Sequence, residues 1–275
     1  MKRFRYASLP FAAYALIFVL APLLLIFYSF TGADGGFSLE HYKAFFNFQD
    51  PVYLQVLWRS IKVAVISTLI CLVLGYPMAY ILSKMKPSLR DTMAFLFVLP
   101  MWMNFLLRTY AWMTLLERTG LINTLLGKIG IGPLDLMYTQ GAVILGNVYN
   151  FLPFMILPIY NVLIKIDKSV IEAAQDLGGN KFVVFRKVIF PLSLSGVVSG
   201  ISMTFMPAVS TFIISRLLGG GQQALIGDII ENQFKVVGNW GLGSAMSVVL
   251  MVLILAAMNV MRKYEDENAG GNVLL

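Results

Sequence analysis

The sequence predicts an all-α, polytopic membrane protein with six transmembrane helices in a single domain, residues 1–264. Of the 275 residues 58% are hydrophobic and 13% are charged, and the mean hydropathy is +0.77. No soluble core buries that much apolar surface, so most of the surroundings must be lipid. Apolar segments long enough to cross a bilayer also alternate with shorter polar ones. We expect spans at about 9–30, 61–83, 93–116, 139–164, 190–217 and 242–261, and a disordered tail at 265–275.

The first span follows the basic residues Lys2, Arg3 and Arg5. A cleaved signal peptide begins in the same way, but this apolar stretch is too long and lacks a small-residue cleavage site. We therefore predict an uncleaved first helix. The segment 31–60 is polar and aromatic, and we expect its amphipathic stretches, 39–48 and 53–58, to lie along the outer surface.

The distribution of lysine and arginine predicts the orientation. The two terminal segments and the loops around 84–90 and 165–187 together hold about thirteen basic residues, and the opposite loops hold about six. Lysine and arginine are enriched on the cytoplasmic side of membrane proteins. Both termini and the segment 165–189 are therefore expected in the cytoplasm.

The segment 165–189 has the signals of two short helices joined by a sharp bend. Ser169 and Glu172 have the spacing of a capping box at a helix start. Gly178 supplies a left-handed stop, Asn180 a second cap, and Pro191 a break before the next span. Ala173 and Ala174 leave one side of the first helix thin. This segment is expected to dock a partner protein.

The order Glu172-Ala173-Ala174, Gly178, Ile189 and Pro191 resembles the cytoplasmic "EAA" loop of permease subunits in binding-protein-dependent ABC importers. Phe190 departs from the usual leucine before the proline. The resemblance implies that this loop couples the chain to an ATPase. The residues expected to carry the coupling are Glu172, Ala173, Ala174, Asp176, Leu177 and Gly178.

Several other segments resemble the spermidine/putrescine branch of these permeases. They are 71–77, 102–110, 152–155, 218–220 and 225–227. The resemblance implies a type I ABC importer permease (MetI-like) fold in the bacterial inner membrane. It also implies a sister permease, two cytoplasmic ATPase subunits, a periplasmic or lipid-anchored binding protein, and polyamine transport by alternating access. Thiamine, ferric iron and sulfate remain alternative solutes.

The energy source is expected to lie outside this chain. The glycines at 219–221 lack the lysine and hydroxyl of a phosphate-binding loop, so ATP and magnesium are expected on partner subunits. We expect no catalytic residue, bound cofactor or metal site, since His41 and Cys71 are isolated. The charges lie between apolar spans, which excludes a nucleic-acid-binding face. No carboxylate lies deep in a span, which argues against an ion-driven secondary transporter.

Polar and aromatic residues of the third and fourth spans are candidates for the substrate path. Aromatic faces and amide oxygens guide an organic cation without trapping it. The candidates are Trp102, Asn104, Tyr110 and Trp112 in the third span and Asn147, Tyr149 and Asn150 in the fourth. Simple packing is the alternative for the aromatic residues. A membrane scaffold or assembly protein would need the docking loop but no polar path.

Three further groups of residues, two of them charged and one of small residues, have more than one interpretation. Asp228 and Glu231, in the outer loop, would attract cations, contact a delivering protein or form a solvated face. Arg108 would repel a cation, so we expect a structural pair or a side chain reaching the outer interface. The small residues Gly196 and Gly200 allow close helix packing, either within this chain or against a partner.

Overall fold

The computed structural model describes residues 9–32 and 34–271, and within them the chain folds into helices without a strand. The predicted all-α class is therefore confirmed. The helices are α1 Leu9–Ser29, α2 Glu40–Phe45, α3 Val52–Lys84, α4 Pro87–Trp102, α5 Phe105–Leu116, α6 Leu121–Lys128, α7 Gln140–Leu163, α8 Lys168–Asp176, α9 Lys181–Leu192, α10 Leu194–Ser210, α11 Ile213–Gly219, α12 Ile226–Asn232 and α13 Trp240–Gly271.

Three helices of the described region are long and apolar enough to cross a membrane by themselves: α3, α7 and α13. Two bent pairs, α4 with α5–α6 and α9 with α10, raise the number to five if each pair is one span. In the first helix, α1, the apolar segment Tyr14–Ser29 is shorter than these spanning helices. Six spans and cytoplasmic termini stay predictions.

The second span begins earlier than the sequence predicts. Helix α3 starts at Val52, directly after Pro51, and continues without interruption to Lys84. The stretch 53–58, predicted as a separate surface segment, is therefore the first part of α3. At 1.5 Å per residue this helix is about 50 Å long, so it extends well beyond the hydrocarbon core.

The predicted third span is broken in the middle. The chain is extended at Met103, and α4 and the helical segment after it meet at an angle of 90°. Pro100 weakens the end of α4, and Asn104 starts α5 by accepting hydrogen bonds from the amides of Leu106 (2.8 Å) and Leu107 (3.4 Å). A side-chain cap at this position replaces the hydrogen bonds that a continuous helix would make.

The predicted fifth span is broken as well. Helix α9 contains a π-helical turn at Phe185–Ile189 and ends at Leu192, one residue after Pro191. Helix α10 begins at Leu194 and is bent by 59° relative to α9. Helix α10 ends at Ser210, and α11 follows after two residues. The fourth predicted span agrees with α7, in which Pro153 and Pro158 leave the helix continuous.

The centre of the bundle is formed by α3, α7 and α10, which contact one another. Gly196 and Gly200 of α10 face α7: a Cβ on Gly200 would lie 2.8 Å from Met155 Sδ, and one on Gly196 would lie 2.9 Å from the carbonyl oxygen of Pro158. These small residues therefore pack within the chain itself.

The last helix runs further than the predicted sixth span. Helix α13 contacts α1 and α10 and continues to Gly271. Residues 265–271, predicted as part of a disordered tail, are therefore helical, and 272–275 lie outside the described residues.

Candidate functional site

The predicted docking segment contains α8, whose first turn is capped by Asp167. Asp167 Oδ1 accepts a hydrogen bond from the Ser169 amide at 3.0 Å. The predicted capping box of Ser169 and Glu172 is therefore wrong, because the residue two positions earlier takes the capping position. Hydrogen bonds from Ser169, first from its amide, lower the pKa of the Asp167 carboxyl.

The end of α8 follows the prediction. Gly178 has φ +84°, a left-handed conformation that a residue with a Cβ adopts only at a cost. The Gly179 amide donates to the Ala174 carbonyl oxygen at 3.0 Å, closing the bend. Asn180 Oδ1 then accepts from the Val183 amide at 2.9 Å and starts α9. Local hydrogen bonds thus fix the angle between the two short helices.

One side of α8 is not covered by any described part of the chain. None of its residues is buried, and Leu177, directly after it, is 91% exposed. On the opposite side Ile171 and Ala174 pack against the apolar cluster that includes Val184. We call the free side the exposed α8 face: Val170, Glu172, Ala173, Asp176 and Leu177. It combines two carboxylates with exposed apolar surface, as protein-docking sites do.

The amides predicted to line a path lie inside the bundle. Asn147 and Asn150 are 0% and 3% exposed. Asn150 Nδ2 donates to the Gly146 carbonyl oxygen at 2.9 Å, whereas neither side-chain polar atom of Asn147 has a hydrogen-bond partner among the described residues. Within the same residues, Thr68 of α3 and Thr204 of α10 also carry buried hydroxyls without a partner. The bundle interior therefore contains polar groups that remain unsatisfied.

The aromatic candidates lie nearer the surface. Trp102 is 74% exposed at the end of α4, and Tyr110 of α5 is half exposed. Trp112 is partly buried and meets Tyr149 of α7 edge to face, with ring centroids 5.3 Å apart. The structure thus brings Trp112 and Tyr149 together, while Asn104 serves as the cap of α5. Of the four aromatic candidates, Trp102 and Tyr110 are therefore the most exposed.

Asp228, the first of the two outer carboxylates, is buried and bonded within the chain. Its Oδ2 accepts from the Leu225 amide at 2.8 Å and from the Ser215 hydroxyl at 2.5 Å. Burial raises the pKa of the Asp228 carboxyl, and the bonds from Ser215 and Leu225 oppose that change. The Ile226 amide donates to Ser60 Oγ of α3 at 2.7 Å, a contact that no sequence pattern signals.

Glu231, the second outer carboxylate, forms ion pairs with Arg216 and Lys235. The distance from Lys235 Nζ to Glu231 Oε1 is 2.8 Å. The hydrogen bond from Lys235 is the largest cause of the lowered pKa of Glu231. We call these groups the outer carboxylate network: Asp228 with Ser215 and Leu225, and Glu231 with Arg216 and Lys235. In it both carboxylates are engaged by the chain itself.

Arg108 lies in α5 and is only 8% exposed. Its Nε has no acceptor in the part of the chain that the structure describes, and its guanidinium carbon lies 5.9 Å from the centroid of the Phe105 ring. The predicted structural pair is not formed among the described residues. Across all the residues that the structure describes, no group of three or more His, Cys, Asp or Glu side chains is arranged to hold a metal ion.

The sequence of this chain is similar to those of known transport proteins. Residues 72–266 match the model of a family described as "binding-protein-dependent transport system inner membrane component". The chain is 41% identical over 251 residues to a protein of Haemophilus influenzae named "spermidine/putrescine transport system permease protein PotB", covering 88% of this chain and 87% of that one. A protein of Escherichia coli with the same name is 38% identical over 247 residues, covering 86% and 89%.

Solved structures are similar in fold. A chain of a bacterial alginate ABC transporter, crystallised with an alginate-bound periplasmic protein, superposes with a TM-score of 0.80 at 16% identity, covering 95% of both chains. A chain of the MetNI methionine ABC transporter gives a TM-score of 0.60 at 18% identity, covering 78% of this chain and 95% of that one. The predicted MetI-like fold is therefore confirmed.

Proposed function

The chain belongs to the family of binding-protein-dependent transport system inner membrane components, and from that premise we propose that it is the permease subunit of an ATP-driven polyamine importer. The family places it in the inner membrane in a transport role rather than an enzymatic one. Identity of 38–41% over most of the chain to permeases named for spermidine and putrescine supports the substrate class.

The exposed α8 face is the single observation that carries the proposed coupling. It presents Glu172, Ala173 and Leu177 with no internal partner, on a helix whose ends are fixed by local hydrogen bonds. A cytoplasmic ATPase subunit docks there, and two such subunits serve this chain and a sister permease. A periplasmic or lipid-anchored binding protein delivers the polyamine at the opposite side.

The loop transmits movement because its inner side is attached to the bundle. Ile171 and Ala174 pack on the cluster that contains Met155 of α7 and Tyr76 of α3. When ATP binding closes the ATPase pair, α8 moves with it, and the attached helices follow. The path then opens outward to receive substrate and returns inward after hydrolysis.

The path itself uses exposed aromatic rings. Trp102, Tyr110 and Tyr149 offer ring faces to the ammonium groups of a polyamine, each contact contributing on the order of 1 kcal/mol at exposed sites. Such weak contacts suit a pathway, since a substrate must leave as readily as it enters. The buried Asn147 and Asn150 join the path only if the bundle opens around them.

The test is ATP hydrolysis by the assembled complex in lipid bilayers, with binding protein loaded with spermidine, putrescine, thiamine or sulfate. Stimulation by the two polyamines alone is the expected result. Charge reversal by Glu172→Lys on the exposed α8 face is expected to remove the stimulation while the complex still extracts as a folded unit.

Stimulation by another solute would overturn the substrate assignment and leave the importer intact. Uptake that proceeds without any ATPase subunit would instead indicate a secondary transporter, and a complex that moves no solute would indicate a scaffold.

A further inference from the structure

Arg108 is a buried cation with no counter-charge in the described part of the chain. It is 8% exposed, donates no side-chain hydrogen bond there and forms no ion pair. Its neighbour Thr109 is satisfied, because its hydroxyl donates to the Phe105 carbonyl oxygen at 3.0 Å. In this turn of α5, the buried side-chain atom without a partner among the described residues is therefore Arg108 Nε.

An arginine keeps its charge at any physiological pH, so burial does not neutralise it. Removing such a charge from water is costly unless an opposite charge and hydrogen bonds replace the lost hydration. The Phe105 ring, 5.9 Å away, supplies only a partial replacement. A partner for Arg108 must come from another molecule or another part of the chain.

The chain's own outer carboxylates are engaged elsewhere. Asp228 accepts from Ser215 and Leu225, and Glu231 pairs with Arg216 and Lys235. Helix α11, which packs against α5, brings a second positive charge rather than a negative one.

A lipid headgroup and the substrate are also unsuitable partners. Arg108 lies eight positions before the end of α5 at Leu116, about 12 Å along the helix axis. An arginine that reaches a headgroup over such a distance extends its side chain along the surface, whereas this one is buried. A polyamine carries positive charge and is repelled.

The surface around Arg108 fits a helix of another subunit. Met103 at the helix break and Leu107 of α5 are 55% and 64% exposed. Leu107 directly precedes Arg108 in the chain, so an exposed apolar face lies close to the arginine in sequence. A partner helix with one Asp or Glu among apolar residues would bury this face and bond the guanidinium with two parallel N–H···O contacts.

We infer that Arg108 forms an interfacial ion pair with a membrane-embedded carboxylate of the sister permease. The inference rests on the proposed function, because it requires that a second permease subunit be present. The carboxylate fixes the register between the two subunits at the level of the α4–α5 break.

The experiment is co-purification of the sister permease with this chain, extracted from membranes as the full complex. Variants Arg108→Leu, Arg108→Lys and Arg108→Glu are compared with Arg118→Leu, a control in which the arginine is 71% exposed and only loosely paired with Asp135. We expect Arg108→Leu to reduce co-purified sister permease by about tenfold or more, as for a lost buried interfacial charge pair. Lysine is expected to retain part of the yield, and Arg118→Leu all of it.

The decisive experiment is a charge exchange between the two subunits. Arg108→Glu is combined with variants of the sister permease in which one Asp or Glu of its apolar helices at a time is changed to Arg. Recovery of the complex by one such exchange supports the inference, and a misfolded Arg108 variant would not be rescued in this way. Wild-type yield with Arg108→Leu, or loss of yield that no exchange restores, overturns it. ATPase stimulation of the wild-type complex by loaded binding protein tests the proposed function separately.

Discussion

The two short charged helices at opposite ends of the bundle, α8 and α12, use their carboxylates in opposite ways. Helix α12 buries Asp228 and pairs Glu231 with two cations. Helix α8 buries none of its residues, and Glu172 and Asp176 form no ion pair in the described chain. Polar residues bonded internally hold the fold, whereas polar residues left free on a rigid helix are available to a partner.

The largest expected effect is the loss of the buried carboxylate in α12. Asp228→Leu removes the acceptor of the Leu225 amide and the Ser215 hydroxyl and leaves both donors buried. We expect a loss of about 3 kcal/mol in the free energy of unfolding, since hydrogen bonds to a charged group contribute about 1.5–3 kcal/mol each. Chemical unfolding in lipid nanodiscs measures this.

The control for that variant is Asp135→Leu, whose side chain is 82% exposed and loosely paired with Arg118. It should change stability by less than about 1 kcal/mol. Equal effects of the two variants would mean that the outer carboxylate network does not stabilise the fold.

A smaller effect, on function alone, is expected at the exposed α8 face. Leu177→Asp places a charge where a docked ATPase would cover an apolar side chain, and we expect coupled uptake to fall by about tenfold. Stability should not change, because Leu177 is 91% exposed. Ile129→Asp, at a similarly exposed apolar site on the predicted outer side, is the matched control. If Leu177→Asp lowered stability without lowering coupled uptake, the exposed α8 face would hold the fold rather than bind a partner, contrary to the proposed difference between α8 and α12.

The smallest expected effect is a pH dependence from Glu231. The pKa of Glu231 is lower in the folded chain than its ordinary value of 4.5. Its ionised carboxylate therefore stabilises the folded state above pH 4.5, and this stabilisation is lost as the pH falls through the pKa of the folded chain. Glu231→Gln should therefore be slightly less stable than wild type at pH 7, and the difference should shrink in acid. Melting curves between pH 7 and strongly acidic pH measure this, and a difference that grows in acid would contradict it.

Local signals predicted the structure of the segment 165–189 well but not fully. Gly178 and Asn180 act as predicted because a left-handed turn and a side-chain cap depend on the nearest residues only. The start of α8 was wrong because Asp167 and Ser169 are both good caps two positions apart. The choice between them depends on where the chain leaves α7.

The positions of the helix breaks were harder to predict. Prolines mark both broken spans, yet Pro153 and Pro158 leave α7 straight enough to remain one helix. At Met103 the break is stabilised by the Asn104 cap, and at Ser193 it follows the π-helical turn of α9. A proline weakens a helix in every context, but surrounding contacts decide whether it breaks.

The sequence by itself determined the membrane class, the helical fold and the bend between α8 and α9, because composition, hydropathy and hydrogen bonds between near neighbours carry that information. Only the tertiary structure decided that Gly196 and Gly200 meet α7, that Asp228 is bonded to Ser215, and that Arg108 Nε is buried without a partner among the described residues. Each of these facts depends on helices distant in sequence, and no local pattern records which faces of those helices meet.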